Sequence, residues 1–489
     1  MDSAKEQLIS LVGQENVQDA HKSLEAYAMD QSFAPEMKPR LVVRPKSVQE
    51  VQALVRWAND TRTPLIPVSS GSPHFHGDTV PGVPGAVMVE LFLMNRILNI
   101  DRRNKMAVIE PGVTFEQLQP ELAEEGLRVN MPLLPRRNKS VIASLLERQP
   151  TTVPRYDYSL TEPLRNCGVV WGNGEITYTG EAGNMPLSLE EQWNKGVFQV
   201  DPKGPAQTDF FRLLTGAQGS MGIAVWASIK CELLPGARKL FFVPAERLEE
   251  LVDFSYRVQR LRLGDEVMLL NRSLFAKMLA AAGEPSGLSE EGLPPWVMII
   301  GVAGRAHFPE ERVEVQEKDI DDVAKQFNLT LQTEIGGISG ERVLEIILNP
   351  CSEPYWKQKH KGAFQDIFFL TTLDKIPQYI EVVNKTAGEI GYPSSQIGIY
   401  IQPQHQGVSH HCEFNLPFDP QDTEEKERVK EMYFRASEEL IERGAYFSRP
   451  YGIWADMVYR RDASSAAALR KVKSIFDPRG VMNPGKLCF

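Results

Sequence analysis

What this chain lacks narrows its class. Cysteine is scarce: Cys167, Cys231, Cys351, Cys412 and Cys488 are the five in 489 residues, an odd number and never spaced as CxxC. That spacing argues against a disulfide framework and against an iron–sulfur or zinc site. No apolar run approaches the ~18 residues of a membrane-spanning helix. Positive charge is in deficit, with 54 Lys+Arg against 64 Asp+Glu and a net charge of −10. General nucleic-acid binding needs a basic face and is disfavoured, although a local basic pocket for an anion is not. The start, Met1-Asp2-Ser3-Ala4-Lys5-Glu6, has no charged segment running into an apolar one, so no secretory leader is expected. Repeats and low-complexity tracts are also missing. The expectation is a cytoplasmic globular protein, and 489 residues exceed one ordinary core, so more than one domain is expected.

What is present alternates short strands with helices. Val48, Val51, Leu54, Val55 and Ala58 form an apolar stripe at helical spacing behind Ser47 and Glu50, a capping-box pair. Leu65–Val68, Ala86–Leu91 and Met106–Glu110 read as strands, and Thr114 opens a helix that Gly126 ends. Ala224–Leu233 alternates as a strand. Pro235-Gly236 marks a break. Beyond it, helices are predicted near 245–261, 310–327, 376–390 and 424–443, with strands at 296–302, 329–334, 397–402 and 411–416. The tail is helical over 463–473.

Three segments carry chemistry. Leu65–Val68 feeds the loop Ser69-Ser70-Gly71-Ser72-Pro73-His74-Phe75-His76-Gly77-Asp78. A strand entering a Gly/Ser loop can aim several backbone N–H groups at one pyrophosphate, and small residues allow close approach. Thr215-Gly216-Ala217-Gln218-Gly219-Ser220-Met221-Gly222-Ile223 places three glycines just before a buried strand. Phe476–Lys486 ends in Asn483-Pro484-Gly485-Lys486, a turn-rich tail of a kind that ordinarily frays.

In this order and spacing, with Met94–Leu98, Val108–Thr114, Ser140-Val141-Ile142, Leu146-Glu147-Arg148 and Gly172-Asn173-Gly174-Glu175, these segments resemble the vanillyl-alcohol oxidase/p-cresol methylhydroxylase flavoproteins. The resemblance covers roughly 40–234 and 402–486. It implies an α+β fold: a two-subdomain FAD-binding domain of the p-cresol methylhydroxylase type over 1–237, an α/β cap (substrate) domain over 238–445, and a return to the FAD domain over 446–489. FAD would lie elongated between the subdomains, with Ser69, Ser70, Gly71, Ser72 and Gly77 at the pyrophosphate. Ser140, Val141, Gly219, Gly222 and Ile223 would follow the ribityl and adenine parts, and Asn483 would sit by the flavin. His74 is the nearest candidate for covalent attachment, one place out of register; non-covalent FAD is expected. No GxGxxG follows a strand, which argues against a nicotinamide cofactor.

The departures bear on substrate. Phenol-oxidising members hold a phenolate with a Tyr in the first loop and a Tyr-Arg pair near the C-terminus. Here those positions read His76 and Ser448-Arg449. Arg449 keeps the cation without the hydroxyls and suits a carboxylate, whose two oxygens match the guanidinium fork. His411 and Glu413 alternate onto one strand face, with Tyr400 and Gln402 on a neighbouring strand. His411 is the expected proton acceptor, Asp157 or Tyr400 the alternatives, and Gln402 and Glu413 the expected substrate contacts. His405, His410 and His411 lack a carboxylate-rich cage, so no metal is expected. The reading is an FAD-dependent oxidoreductase acting on an alcohol or 2-hydroxy acid. An aryl-alcohol or phenol oxidase, a flavin-bearing electron-transfer subunit feeding a partner protein, and a flavin-free interaction protein are the alternatives. A homodimer or a subunit of a complex is expected.

Overall fold

The computed structural model describes residues 3–155, 163–185, 187–197, 210–283 and 292–489. Two sheets build the N-terminal half. In the first, Leu41–Val43 and Leu65–Val68 flank Val87–Glu90 in parallel, and Val17–Gln18 adds an antiparallel edge. Parallel strands need a crossover, and the helix Val48–Thr61 supplies it. Half of the expected capping box is formed: Ser47 Oγ accepts from Glu50 N at 3.2 Å, while Glu50 Oε2 accepts from Lys46 N at 2.7 Å rather than from Ser47 N. The second sheet is antiparallel, in the order Ile97–Asp101, Met106–Ile109, Gly222–Lys230, Leu164–Trp171, Ile176–Tyr178.

The second half is built on a six-stranded antiparallel sheet. Its order is Ala237–Ala245, Trp296–Gly304, Val267–Asn271, Gly398–Gln404, Ser409–Phe418, Ala363–Thr371. Side chains alternate across it. Ile367, Phe369, Ile399, Ile401, Cys412 and Phe414 join one core with the helices Glu249–Arg260, Pro309–Gln326, Ile376–Ile390 and Thr423–Glu442. The opposite face carries Asp366, Phe368, Tyr400, Gln402, His411 and Glu413, because Phe368 and Tyr400 both pair with Glu413, and Gln402 with His411.

Two expected elements differ. The strand expected at 329–334 is reduced to Glu334–Ile335 and a bridge between Gln332 and Phe242. The helix expected from 245 begins at Glu249, because Ala237–Ala245 is the edge strand of the sheet. The tail does not fray. Met482 bridges Leu65 in parallel, and Asp477 accepts from Val481 N and Met482 N at 2.9 Å each while taking Lys473 Nζ at 2.6 Å. The core of the six-stranded sheet takes in Phe447, Tyr451 and Trp454.

No helix among the described residues is long and apolar enough to cross a membrane. No disulfide joins any of the five cysteines among the described residues.

Candidate active site

A cleft partly open to solvent runs between the two halves. Its N-terminal wall is the loop carrying Ser69, Ser70, His74, His76 and Asp78, together with Gly219, Gly222 and Ile223. Its other wall is the polar face of the six-stranded sheet, closed by Arg449 and Tyr451.

The glycine motifs bring backbones together. Gly219 has φ +70°, and a Cβ there would meet Pro67 Cγ at 2.6 Å; at Gly222 it would meet the Val170 carbonyl at 2.6 Å. Gly71 packs on Asn138, 2.6 Å from where its Cβ would stand, and donates to the Asn138 carbonyl at 3.0 Å. Ser72 accepts from Asn138 Nδ2 at 2.8 Å. Gly77 has φ +75°, donates to Asp30 Oδ2 at 2.6 Å and accepts from Lys486 Nζ at 2.7 Å. Gly71, Ser72 and Gly77 thus shape the loop from behind, and do not themselves line the cleft.

Ser140 caps the helix Val141–Leu146. Its N–H donates to Ser70 Oγ at 3.1 Å and its Oγ to the Pro111 carbonyl at 2.6 Å. Ser140 and Val141 stand behind the cleft, and Ile142 and Ala143 line it. Asn483 is buried and donates to the Asp78 carbonyl at 3.0 Å and the Gln218 carbonyl at 2.7 Å, so it ties the tail to both glycine motifs.

This wall suits a dinucleotide bearing a pyrophosphate. Arg136, which the motifs did not reveal, lines the cleft and donates to the Gly71 carbonyl at 2.6 Å. No carboxylate lies within ion-pairing distance of it among the described residues, so an anion there would be matched. His74 Nε2 is buried without a hydrogen-bond partner among the described residues. Burial, with Arg136 and Lys139 nearby, pushes His74 down to about 3, so its imidazole is neutral and can serve a polar ligand. Asp78 is pushed up to about 7 by burial and by Glu147 and Asp30.

On the facing wall Arg449 is 7% exposed, and its guanidinium stacks over Phe368 at 4.2 Å. No carboxylate lies within 4 Å of it among the described residues. Its side-chain contact is His411 Nδ1, at 3.4 Å from Nη2. Two arms from the other half of the chain hold its loop: Arg148 donates to the Ser448 carbonyl at 2.9 Å, and Gln218 to the Pro450 carbonyl at 3.0 Å.

His411 Nε2 faces Glu413 Oε2 at 3.5 Å, an electrostatic contact rather than a formed hydrogen bond. Burial drives His411 down to about 4 against the pull of Glu413, so it is neutral at physiological pH. Tyr400 crosses its ring at 5.7 Å and donates to Gln402 Oε1 at 2.7 Å. Gln402 Nε2 is taken up by the Val267 carbonyl at 2.8 Å, so its amide braces Tyr400 from beneath the cleft.

His76 stacks on Tyr451 at 4.6 Å. Phe368 stands 5.6 Å from His76 and 5.9 Å from His411. Asp157 lies outside the described residues. His405 and His410 do not join the site: His410 is on the opposite sheet face, 5.7 Å from the Tyr256 ring. No group of three or more His, Cys, Asp or Glu suited to a metal occurs among the described residues.

Sequence reasoning missed Lys357, Asp366 and Tyr451. Asp366 had a signal, a carboxylate inside the apolar run Ala363–Leu370. Tyr451 lies two residues beyond Arg449. Lys357 had none, because Glu413 is 56 residues away and Asp366, nine away, shares no helical or strand period with it.

Comparison with known proteins agrees with this geometry. Residues 39–180 match the FAD binding domain model, and residues 357–487 match the model of the C-terminal domain of FAD linked oxidases. The chain is 24% identical to glycolate oxidase subunit GlcD of Bacillus subtilis, over 99% of this chain and 96% of that one. It is 25% identical to D-2-hydroxyglutarate dehydrogenase of Stutzerimonas stutzeri, over 95% and 94%. Among solved structures, p-cresol methylhydroxylase with substrate bound aligns with a TM-score of 0.82 at 19% identity, covering 100% of this chain and 96% of that one. The 4-ethylphenol oxidase of Gulosibacter chungangensis aligns at 0.80 and 19%, covering 99% and 96%. With an FAD binding domain matched in the first half, the C-terminal domain of FAD linked oxidases in the second, and the cleft between them fitting the cofactor, the chain belongs to the FAD-linked oxidases, shares the fold of p-cresol methylhydroxylase, and is an FAD-dependent oxidoreductase.

Proposed function

We propose that this enzyme oxidises a small alcohol that carries an anionic group, a 2-hydroxy acid above all. The observation that carries this reading is Arg449: a buried guanidinium facing the cleft, without a carboxylate partner among the described residues. A buried charge is costly unless paired, and a substrate carboxylate would complete the pair. Burial already holds Arg449 below its usual range, with Tyr451, Glu147 and Glu413 opposing. Glycolate oxidase, D-2-hydroxyglutarate dehydrogenase and D-lactate dehydrogenase relatives carry 2-hydroxy acids in their names, in keeping with this class.

When bound, FAD supplies the hydride acceptor. We assign its pyrophosphate to the Ser69–Asp78 loop with Arg136, and its remaining length to the glycines at 219 and 222. The chain's own groups do the rest. Arg449 fixes the carboxylate and so the orientation of the alcohol carbon. His411, neutral at physiological pH, takes the hydroxyl proton. An arginine N–H can only donate, so His411 accepts at Nδ1 and carries its proton on Nε2. A carboxylate at Arg449 competes for that N–H and frees the Nδ1 lone pair. Tyr400 and Asp157 are the alternative acceptors. Glu413 contacts the substrate through its cleft face, and Gln402 acts through Tyr400.

We divide the chain into an FAD-binding domain over 1–237, a cap from 238, and a final return. The packing of Phe447, Tyr451 and Trp454 in the cap core supports placing that return after Tyr459 rather than at 446. The cytoplasm, where thiols stay reduced, is the proposed location. The oligomer is proposed as a homodimer or a subunit of a complex.

A second reading, an aryl-alcohol or phenol oxidase, is favoured by the aromatic lining of Phe75, Tyr355, Phe364, Phe368 and Tyr451. Anaerobic mixing of the flavin-loaded protein with a panel of 2-hydroxy acids and para-substituted phenols decides between them. Flavin bleaching by hydroxy acids, lost in Arg449→Met, is expected. Bleaching by phenols alone overturns the first reading.

A further inference from the structure

The short helical turn Trp356–Gln358 brings against the cap sheet a buried cation that neither the motifs nor the proposed chemistry uses. Lys357 is 8% exposed, and its Nζ donates to Asp366 Oδ2 at 2.6 Å and to Glu413 Oε1. Asp366 is in turn held by Asn415 Nδ2 at 2.8 Å. Glu413 presents its second oxygen to His411 Nε2, and His411 presents Nδ1 to Arg449. One continuous line of polar contacts thus joins Asn415, Asp366, Lys357, Glu413, His411 and Arg449, all buried.

Such a line is expensive unless it serves something. Replacing a buried ion pair with apolar residues is often neutral or stabilising. Here one cation meets two carboxylates beneath a neutral imidazole.

We infer that Lys357 is a positioning residue: it keeps Glu413 ionised, and the ionised Glu413 holds the His411 proton on Nε2, which leaves Nδ1 as the lone pair offered to the substrate side. Glu413 is an acceptor only while it is a carboxylate. If it took up a proton, it would become a donor facing Nε2, and the imidazole would turn its own proton to Nδ1. That tautomer clashes with Arg449, a donor, and cannot accept a hydroxyl proton at Nδ1. The charges around Glu413 are consistent with this. Burial works against ionisation, and Lys357 and His411 outweigh it, so Glu413 stays well below the usual carboxylate range. Asp366, Tyr355, Arg449 and His76 also face it. Burial and the charge of Glu413 push Asp366 up to about 6, so Asp366 is the member that gives way first as pH falls.

This inference rests on His411 as proton acceptor, and its test is chosen to fail separately. The flavin-loaded protein is labelled with ¹⁵N-histidine, which gives eight residues to assign. In the parent, His411 should show the Nε2–H neutral tautomer. Lys357→Met should shift His411 to the Nδ1–H form or to imidazolium. The acid limb of kcat/KM should move up by about 1–3 pH units, the size of an opposite charge at close range. The loss should fall mainly on kcat, because Arg449, the carboxylate anchor, is untouched, while any rise in KM reports the altered Glu413. Lys357→Arg should restore both the tautomer and the limb, because a guanidinium can serve two carboxylates. If Lys357→Met does not fold, Lys357→Met/Asp366→Asn removes one charge of each sign and still strips Glu413 of its cation. An unchanged tautomer and acid limb in a folded, flavin-loaded variant overturn the inference. If no hydroxy acid is turned over but the tautomer still follows Lys357, the substrate reading fails and this one stands.

Discussion

At the residue scale the site turns on groups whose charge state burial has set. Arg449 should contribute as a bidentate anchor. Arg449→Met is expected to lose about 1.5–3 kcal/mol of transition-state binding, roughly 10- to 150-fold in kcat/KM. Arg449→Lys should recover only part, because an ammonium cannot make the fork. Parent-level kcat/KM in Arg449→Met would remove it from the substrate site. His411→Ala should depress the first-order rate of flavin reduction by about 10²–10⁴-fold. Stopped-flow reduction at the parent rate would pass the role to Tyr400 or Asp157. His410, the neighbour on the opposite face, makes a stability prediction. Both its ring nitrogens are buried without hydrogen-bond partners among the described residues, and burial lowers it to about 3. A depressed histidine is neutral in the fold while the unfolded chain protonates near 6.5, so stability is intact above that pH and drains away as pH falls toward about 3. His74 and His411 are depressed for the same reason. His410→Phe should keep the packing on Tyr256 and move the acid-unfolding midpoint to lower pH. An unmoved or higher midpoint would show that the imidazole is protonated in the fold.

At the element scale, the three glycine and turn segments converge because the tail completes the first sheet. Gly219→Ala would put a methyl 2.6 Å from Pro67 at φ +70°, so flavin content after purification should drop. Full flavin stoichiometry would show that the loops can part. These segments were legible in the sequence, because a backbone that must approach closely leaves glycines at fixed places, and chain order preserves them. The helices capped by Ser47 and Thr114 were legible for a similar reason: a cap is local. Ala363–Thr371, the strand carrying Asp366 and Phe368, was not. It is buried on both faces, so no period-two alternation is left to read. Val267–Asn271 was hidden in the same way. Arg449 was found through the company it keeps in the family. Lys357 was not found, because what makes it notable is Glu413, 56 residues away, and only the folding of the turn Trp356–Gln358 against the strand Ser409–Phe418 brings the two together.

At the scale of the whole molecule, the cleft is as good as the alignment of its two walls. An ionic clamp sets that alignment away from the cleft. Arg128, from the N-terminal half, donates to Glu266 at 2.7 Å and Asp265 at 3.2 Å on the cap. Arg155 reaches Asp265 at 2.9 Å, and Arg305 joins Asp265 to Glu232. Arg128, Asp265 and Glu266 are all at most 5% exposed. Salt therefore screens this clamp weakly. Arg128→Met leaves the carboxylates of Glu266 and Asp265 buried with less compensation, at a cost of about 3–5 kcal/mol. Because the Arg449 loop is gripped from the N-terminal half by Arg148 and Gln218, a loosened seam should also blur the placement of Arg449 over the cofactor wall. A misplacement of about 1 Å can cost about 10²-fold in rate. The expected result is a lower melting temperature and a lower kcat, with FAD affinity nearly unchanged, because the proposed flavin contacts lie mostly on one side. Arg128→Met/Glu266→Met should regain part of the stability by removing the stranded charge, yet not the rate, since the seam stays unclamped. Parent values of both melting temperature and kcat in Arg128→Met would show that apolar packing alone fixes the two walls.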